Sequence, residues 1–515
     1  MIGETFPILS LIILSPFIGA VILLLLPKEF NLGVRLTALF FSLVSFLGSL
    51  YLVLYYDRVS AGFQFVEFFP IVPTLGISYY FGADGMSIIL ILLTAFILIA
   101  GVFASWTTPF RGKEYYILLL LLVTGVFGVF ACLDLFLFFL FYELAVLPMY
   151  LLIGIWGSST SVVPKGPFAI AIKEMGLGSK EYGAMKLTLY LLFGSAFILV
   201  AFLGLYSFSG LKTFNYIALA GVSLDPSLQN WLFLLLYVGF GSLAGIWPIH
   251  TWSPDGHAAA PTATSMMHAG VLMKLGAYGI IRMGMGLLPE AAQTFAPLIG
   301  TIAVINIVYG AFGAMWQRDL KYVVAYSSVS HMGIVMLGAA TLNEMGMNGA
   351  VFQMFSHGIM TGLLFALVGL IYEKAHSREI LEMGGFARRM PGIATCFAIG
   401  GLTSLGLPGL SGFVAELLVF LGAWKSSYSW WLIPAVFGAF VTAVYVLRVL
   451  KWIFFGPENI SSRKVDSKDL RDAIGVEWVA PLFLSAVLIV TGLYPKLLLD
   501  LVDISVMDFL KEILK

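Results

Sequence analysis

Four ionisable side chains stand almost alone inside long apolar stretches of this 515-residue chain: Glu143, Lys186, Lys274 and Glu416. Glu143 lies within LFLFFLFYELAVLPMYLLIG, and Lys274 lies within HAGVLMKLGAYGII. A charge at the centre of a bilayer costs about 2.5–3.5 kcal/mol on insertion scales, so proteins retain such residues mainly for function. Several of them along one chain favour a relay that carries protons or ions across a membrane.

The composition indicates which solvent the chain needs. Of its residues, 60% are hydrophobic and 11% are charged, whereas a soluble domain carries about 25% charged residues. Lipid must therefore be the solvent, and the bilayer is the first partner. The formal net charge is zero, which argues against a nucleic-acid partner.

The cysteines and short motifs argue against a bound cofactor. Cys132 and Cys396 lie in apolar segments without C-x-x-C spacing, so they indicate neither a disulfide framework nor a cluster site. The sequence contains no G-x-G-x-x-G, Walker loop or haem-binding C-x-x-C-H motif. We therefore expect no cofactor and no metal in this chain.

Apolar windows of about 20 residues predict an all-α integral membrane protein with about fourteen transmembrane helices. The predicted spans are 5–26, 32–56, 84–105, 114–131, 134–156, 184–207, 229–248, 262–286, 295–315, 320–340, 349–373, 393–424, 430–455 and 476–499. The segment 61–82 is interrupted by prolines and too polar to span, so a short hairpin fits it better.

The lysine and arginine residues predict how these helices are oriented. With the N-terminus outside, the connections that would face the cytoplasm hold eighteen of them, and the opposite connections hold seven. The eighteen are Lys28, Arg35, Arg111, Lys113, Lys165, Lys173, Lys180, Arg318, Lys321, Lys374, Arg378, Arg388, Arg389, Lys451, Arg463, Lys464, Lys468 and Arg471. The seven are Arg58, Lys212, Arg282, Lys425, Lys496, Lys511 and Lys515. This asymmetry follows the positive-inside rule, so both termini are predicted outside.

Two of the predicted helices contain residues that break a helix. The seventh, in LAGIWPIHTWSPDGHAAAPTA, carries Pro248, Pro254 and Pro261, and the twelfth, in SLGLPGLSGFVAELL, carries Pro408 between two glycines. Proline frees a helix carbonyl, and lipid tolerates such a break only where the backbone lines protein or water. Breaks at corresponding places in two halves are typical of inverted-repeat transporters.

The two halves also match outside the breaks. Aligning Asp134 with Asp319 puts Glu143 opposite Ser328. Five helices per repeat would give the repeats opposite orientations in the membrane, so we predict two inverted five-helix repeats, each with a broken helix. The predicted regions are 1–112 (helices 1–3 with an extracytoplasmic hairpin), 113–287 (helices 4–8), 288–456 (helices 9–13) and 457–515 (a cytoplasmic loop, helix 14 and a short C-terminal segment).

Several longer motifs resemble a known family. PIHTWSPDGHAAAPTATSMMHAGVLMKLGAYGIIR, QRDLKYVVAYSSVSHMG, FQMFSHGIMTGLLFALVGLIYEKAHSREI and SLGLPGLSGFVAELL resemble the antiporter-like subunits of respiratory NADH:quinone oxidoreductase, complex I. FGADGMSIILILLT and FLFYELAVLPMYLLIGIWG are similar too. The motifs stand in the family's order, and the resemblance runs from about residue 80 to 455. Subunits of multi-subunit cation/proton antiporters and of membrane-bound hydrogenases share this plan.

Glu416 favours one type within the family. The M-type chain, of the mitochondrial subunit-four type, has glutamate at this position, where the other two types and the antiporters usually have lysine. The resemblance implies a proton-translocating subunit that couples quinone reduction to proton pumping without redox chemistry of its own. A subunit of a multi-subunit cation/proton antiporter or membrane-bound hydrogenase is the alternative, and a non-pumping membrane scaffold is a third possibility.

The resemblance also implies surroundings for the chain. Its partners would be the L-type and N-type antiporter-like neighbours in the bilayer. It would be a multi-pass protein of the bacterial cytoplasmic (inner) membrane, with both termini on the periplasmic side. The loop 157–183 looks longer than its family counterpart; it could contact a partner or merely be tolerated.

Particular residues receive roles from the resemblance. Glu143 would couple to the adjacent subunit, Lys274 would belong to the central axis, and Glu416 would lie toward the periplasmic exit. Two histidines would join the half-channels, since histidine exchanges protons near neutral pH. The proton-transfer residues implied in this way are Glu143, Lys186, Lys274, His331, His357 and Glu416.

One position departs from the family pattern. The first broken helix usually carries a lysine seven residues before the histidine that is His250 here, and this chain has Leu243 at that place. No lysine stands between Lys212 and Lys274. The usual cationic partner of Glu143 is therefore missing.

His250 and His268 are further candidates for proton transfer near the first break. His268 stands in the apolar SMMHAGVLM, six residues before Lys274; about 1.7 helical turns separate them, so an α-helix would not put them on one face. A hydrogen bond to a nearby carbonyl is an equally good interpretation of His268. His250 and His257 could equally order the loop after the break, and Lys186 could anchor its helix at the interface.

Overall fold

The computed structural model describes residues 6–108, 110–159, 176–457 and 470–514. The first half contains α1 (Ile8–Leu25), α2 (Asn31–Tyr55), α3 (Gly85–Ala104), α4 (Gly112–Ala131), α5 (Leu135–Trp156), α6 (Lys180–Phe208), α7 (Pro226–Ala244), α8 (Trp252–Ala259) and α9, which runs from Thr262 to Met285. The second half contains α10 (Pro289–Trp316), α11 (Leu320–Ala340), α12 (Glu344–Ala375), α13 (Pro391–Ser404), α14 (Ser411–Lys425), α15 (Leu432–Leu450), α16 (Val479–Leu493) and α17 (Lys496–Ile513). Two short helices, Tyr216–Ala220 and Phe386–Arg389, lie in connections.

The helices have the length and composition of membrane spans. Within the described ranges, twelve of them are long and apolar enough to cross a bilayer. Two predicted spans are not among these twelve because they are divided. One is α9, in which α-helical turns alternate with the π-helical turns His268–Leu272 and Ile280–Met285; the other is split between α13 and α14. The all-α membrane fold is confirmed, and the total of fourteen spans stays a prediction.

The segment expected to form a hairpin does so. Strands β1 (Gln64–Val72) and β2 (Ile77–Ala83) pair antiparallel. They are joined by a turn in which Gly76 has a φ of +66°, a conformation that glycine adopts without strain. The carboxylate of Glu67 in β1 accepts the backbone N–H of Leu9 at 2.8 Å. The hairpin is thereby attached to the first turn of α1, whose N–H groups have no helical partner.

Two aspartates occupy matching places in the two halves. Asp134 caps the first turn of α5, and Asp319 caps the first turn of α11. Each also forms an isolated antiparallel bridge with a loop farther along the chain, Asp134 with Asn215 and Asp319 with Glu379. The same local structure therefore recurs at the positions that the sequence comparison aligned.

The helix contacts repeat with the same spacing. At Gly125 an added Cβ would lie 2.4 Å from the backbone nitrogen of Ala145, so α4 and α5 approach closely there. At Gly310 it would lie 2.5 Å from the nitrogen of Ser330, where α10 meets α11. Both glycines and both partners are separated by the offset that relates the two capping aspartates. This pattern supports the predicted repeats, whose boundaries stay a prediction.

A buried ion pair holds one end of the bundle together. Arg282, near the end of α9, contacts Asp84, and the two side chains are only 4% and 6% exposed. Asp84 also caps α3 by accepting the N–H of Ser87. Helix α17 covers this end, and its Ser505 hydroxyl accepts the N–H of Gly85 at 2.9 Å. Arg282 was expected in a connection between helices. It is buried instead, and its charge is balanced by the carboxylate of Asp84.

Other details differ from the sequence-based expectations. The last span ends at Leu493 rather than at 499, and a separate helix, α17, begins at Lys496. Lys321 and Arg378, assigned to connections, are 5% and 8% exposed. Some predicted features lie outside the described residues: Lys165, Lys173, Arg463, Lys464, Lys468, Lys515 and the part of the loop 157–183 that covers 160–175.

Candidate functional site

The first break begins where α7 ends. Gly245 has a φ of +72°, which stops the helix after Ala244. Asn306 of α10, 1% exposed, holds the chain that follows. Its Oδ1 accepts the N–H of Trp247 at 2.8 Å, and its Nδ2 donates to the carbonyl of Val329 at 2.9 Å. An amide from the second half of the chain therefore positions the break in the first half.

Replacing this amide tests its positioning role. Asn306→Leu would leave the N–H of Trp247 and the carbonyl of Val329 without these partners, and a buried unsatisfied group costs about 1–3 kcal/mol. We expect a loss of about 2–3 kcal/mol in unfolding free energy, measured by denaturation of the purified protein in detergent. Thr301→Val is the control, since its hydroxyl bonds only Pro297 of the same helix. Equal stability of the two variants would contradict the role.

A second interruption separates α8 from α9. The carbonyl of Ala260, just before Pro261, accepts a hydrogen bond from Nζ of Lys321 at 2.6 Å. The carbonyl of Ala258 accepts one from the guanidinium of Arg378 at 2.9 Å. Both cations come from the second half of the chain. They satisfy carbonyls that the helix break leaves without helical donors.

Lys186 of α6 is held at the end of this broken region. Its Nζ lies 2.7 Å from Oδ2 of Asp255 in α8, and the side chains are 20% and 26% exposed. Tyr322 of α11 donates its hydroxyl to the other oxygen of Asp255 at 2.9 Å. Lys186 therefore does not simply anchor its helix at the membrane–water interface. It takes part in a polar network that joins α6, α8 and α11.

Two histidines form a buried pair beside this network. The ring centroids of His257 and His268 lie 4.0 Å apart, and both residues are 0% exposed. Trp252 stacks on His268 at 5.0 Å. The expectation that His257 lies in a loop was wrong, because α8 contains it. The alternative that His268 bonds a nearby carbonyl is not supported, since neither nitrogen of either ring has a hydrogen-bond partner among the residues that the structure describes.

His250 remains outside the pair. It lies between α7 and α8, is 2% exposed, and packs its ring against Tyr309 with centroids 4.8 Å apart. Within the described ranges neither ring nitrogen forms a hydrogen bond of good geometry, and the backbone of Pro248 lies nearby. Buried polar atoms are normally satisfied by protein or by internal water. The three histidines therefore lie in a part of the interior that is polar enough to hold water.

Lys274 lies at the centre of the bundle. It is 0% exposed, and its Nζ lies 2.7 Å from Nδ1 of His357 in α12. The same Nζ donates to the carbonyl of Ala269 in the preceding turn of α9. Among the described residues, this ammonium has no carboxylate within ion-pair distance. Its separation from His357 is within the hydrogen-bond distance that a direct proton transfer requires.

The series continues into the second half. The rings of His357 and His331 lie 5.3 Å apart. His331 of α11 approaches Oε1 of Glu416 at 3.5 Å with its Nδ1, and its Nε2 bonds the hydroxyl of Ser404 at 3.0 Å. Gln353 also bonds Nδ1 of His331 at 3.1 Å. Polar side chains from α12, α13 and α14 therefore converge on His331 of α11.

The second break positions Glu416. Helix α13 ends at Ser404, and Gly406 has a φ of +72°, as Gly245 has in the first break. A Cβ on Gly406 would lie 2.7 Å from Oε2 of Glu416, so the absence of a side chain there leaves room for the carboxylate. Gly406, two residues before Pro408, thus ends α13 and leaves space for the carboxylate of Glu416 on α14.

Glu143 stands apart from these contacts. It is half-buried on α5, and Ser195 of α6 is its polar neighbour. In the part of the chain that the structure covers, no lysine, arginine or histidine forms an ion pair with it. Leu243, at the position of the missing lysine, is fully buried. The predicted gap in the first half is therefore present in the structure.

The predicted residues fall into separate groups. Lys274, His357, His331 and Glu416 form one series of neighbours, Lys186 belongs to a second network, and His268 belongs to the buried pair. The sequence analysis missed Asp255 and assigned His257 no site role. Asp255 lies ten residues after Gly245, as Glu416 lies ten after Gly406, so comparing the two breaks could have identified it.

The side chains at this site are of types that can exchange protons. Imidazoles take up and release protons near neutral pH, and buried lysine and glutamate can enter that range. For the described residues, no group of three or more His, Cys, Asp or Glu side chains is arranged to hold a metal ion. The side chains that converge here are suited to moving protons over short distances.

Comparison with known proteins gives consistent results. The family described as NADH:quinone oxidoreductase/Mrp antiporter, transmembrane region, matches residues 167–442. The NAD(P)H-quinone oxidoreductase chain 4 of Gloeobacter violaceus is 40% identical over 510 residues, which cover 96% of this chain and 91% of that protein. The chain 4 1 protein of Synechococcus elongatus is also 40% identical, over 98% and 92% of the two chains.

Solved structures show the same fold. A chain of respiratory complex I from Thermus thermophilus superposes with a TM-score of 0.84 at 28% identity, covering 98% of this chain and 99% of that one. A chain of the Mrp complex from Dietzia sp. gives a TM-score of 0.82 at 20% identity, with 99% and 100% covered. At that identity the second likeness concerns the fold alone.

Proposed function

The chain belongs to the NADH:quinone oxidoreductase/Mrp antiporter family of membrane proteins, and from this premise we propose that it translocates protons as the M-type subunit of a quinone-reducing complex. One observation supports this most: Lys274, His357, His331 and Glu416 are consecutive neighbours in the interior. These side chains can hand protons along a line that joins the two halves of the bundle.

The proposed path has an uptake side and a release side. Lys186 and Asp255, the partly exposed ion pair, would take up protons near the break between α8 and α9. Glu416, beside the break between α13 and α14, would release them on the other side. With the N-terminus outside, as the positive-inside rule predicts, the uptake side is cytoplasmic and the release side is periplasmic.

The two halves would act as inverted repeats. The matching caps at Asp134 and Asp319, and the matching breaks at Gly245 and Gly406, support this proposal. We propose the boundaries 113–287 and 288–456 for the repeats, with 1–112 and 457–515 flanking them. Each repeat would supply one half-channel, and the histidine pair His331–His357 would join them.

The chain would work without a redox group of its own. Quinone reduction would take place in other subunits, and this chain would respond to it through its neighbours. We propose L-type and N-type antiporter-like subunits as those neighbours and the bacterial cytoplasmic membrane as the location. Glu143 is half-buried and has no ion-pair partner in the described chain, so a cation of an adjacent subunit would be its partner.

A substitution at Glu416 tests the proposal. Glu416→Gln keeps the shape and an oxygen that can face His331 but removes the group that can release a proton. We expect proton translocation to fall by at least about tenfold, because glutamine cannot take up or release a proton. The measurement is acidification of proteoliposomes that contain the assembled complex, together with quinone turnover.

The matched control is Glu114→Gln at a surface carboxylate. Glu114 pairs with Arg111, and their side chains are 40% and 47% exposed, so neither proton translocation nor turnover should change. Wild-type rates of both proton translocation and quinone turnover in Glu416→Gln would refute a translocating role for this residue. A wild-type complex that reduces quinone but moves Na⁺ instead of H⁺ would favour a cation-translocating alternative.

A further inference from the structure

A cavity of about 300 Å³ opens beside the interruption between α8 and α9. Its wall includes Ser158, Thr262, Lys321 and the exposed Glu373. The other polar network at this end, Lys186 with Asp255, does not line it. The cavity is therefore a separate opening toward the interior of the first half.

Lys321 is the buried cation of this cavity. It stands in the first turn of α11, is 5% exposed, and donates to the carbonyl of Ala260 at 2.6 Å. No acidic side chain lies within ion-pair distance of its Nζ among the described residues. A buried lysine without such a partner can exist in the neutral form as well as the charged one.

The carbonyl that Lys321 binds lies in the interruption between α8, which carries His257, and α9, which carries His268. The hydroxyl of Ser265 lies 3.3 Å from the same carbonyl of Ala260 and 3.1 Å from the carbonyl of His257. Ser265 and the Ala260 carbonyl therefore form a short polar connection between the ammonium of Lys321 and the backbone of His257.

The neighbouring cation gives an internal comparison. Arg378 holds the carbonyl of Ala258 in the same way, but it is also paired with Asp319 at 3.3 Å. Arginine remains protonated in proteins, whereas lysine can lose its proton. If the only requirement were a hydrogen-bond donor for each of the carbonyls of Ala258 and Ala260, an arginine at position 321 would meet it as well as a lysine. The lysine stands where the cavity, the carbonyl and the histidine pair meet.

We propose that Lys321 is a proton-uptake residue, which takes protons from water in the cavity and delivers them to His257 and His268. In each transfer an O–H bond of a hydronium ion breaks as an N–H bond forms at neutral Nζ. That proton then passes through a water molecule to a free imidazole nitrogen of His257. This inference rests on the proposed function, and it gives the first half a route that needs no lysine at position 243.

Two substitutions separate proton transfer from support of the backbone. Lys321→Met removes both functions, while Lys321→Arg keeps a donor for the carbonyl of Ala260 but cannot release a proton. In the assembled, reconstituted complex, we expect both variants to translocate protons at least about tenfold more slowly than wild type. Wild-type translocation by Lys321→Arg would overturn the proposal and leave only a structural role.

Lys113 provides the matched control. Its Nζ also donates to two backbone carbonyls, those of Leu24 and Leu26, at 2.9 and 2.7 Å, but it lies away from the histidines. Lys113→Arg should translocate protons like the wild type. A loss equal to that in Lys321→Arg would show that exchanging any carbonyl-holding lysine is harmful, and it would overturn the specific role of Lys321.

Access of water to the cavity is tested independently of pumping. The two natural cysteines are buried, so Thr262→Cys supplies a single reactive thiol in the cavity wall. A membrane-impermeant maleimide should label it only from the side on which Lys28→Cys reacts, and not from the side of Arg58→Cys. No labelling, or labelling from the other side, would overturn the proposal even if Lys321 variants fail to assemble. A wild-type complex that does not translocate protons would instead refute the proposed function.

Discussion

Lys274→Met is expected to lower proton translocation by about 10²-fold or more, which is the smallest contribution typical of a required proton-transfer group. Lys274 is fully buried and contacts His357 at 2.7 Å, so it occupies the junction between the two halves. Methionine fills similar space but cannot carry a proton. Lys274 is also the more deeply enclosed of the two residues, since it is 0% exposed and the Glu416 side chain is 9% exposed.

The measurement compares proton uptake with quinone turnover in membrane vesicles that contain the assembled complex. Lys425→Met, at the exposed end of α14, is the control and should behave like the wild type. Coupled turnover should fall together with translocation, because a blocked relay holds back the step to which it is coupled. Wild-type proton uptake in Lys274→Met would remove this residue from the path.

The second large effect concerns stability. Arg282→Met leaves Asp84 as a buried carboxylate without its cation, and removing one partner of a buried pair costs about 3–5 kcal/mol. The Asp84 side chain is 6% exposed and caps α3, so this end of α3 should loosen along with its contact to α17. We expect a correspondingly lower unfolding free energy in detergent and less assembled complex in the membrane.

Two comparisons interpret that result. The double variant Asp84→Leu with Arg282→Met should recover part of the loss, because no charge is then left unpaired. The exposed pair of Arg111 and Glu114 is the control: Arg111→Met should change stability by about 1 kcal/mol at most. A similarly small effect of Arg282→Met would mean that water reaches Asp84 in spite of its burial.

The sequence was informative wherever one residue type carries a strong physical constraint. Prolines and glycines in an apolar stretch identified both breaks, since few other residues interrupt a membrane helix. Isolated charges identified Lys274 and Glu416 for the same reason. The lysine missing at position 243 was equally visible, because Leu243 stands in a recognisable motif.

Features that depend on contacts between distant segments could not be predicted. Asp255 and Lys186 are 69 positions apart, and nothing near either residue indicates that they meet. The contact between His257 and His268 depends on how the interruption between α8 and α9 places the two helices. The burial of Arg282 could not be predicted, because its partner Asp84 lies almost 200 positions earlier in the chain.

The π-helical turns of α9 have a mechanical consequence. A wide turn accommodates one extra residue, and one residue corresponds to about 100° of rotation in an α-helix. The turn His268–Leu272 lies just before Lys274. If it moved along the helix past Lys274, the ammonium would swing about 100° away from His357 while both helix ends stayed in place. A shift of this single turn would therefore change which side chains Lys274 contacts.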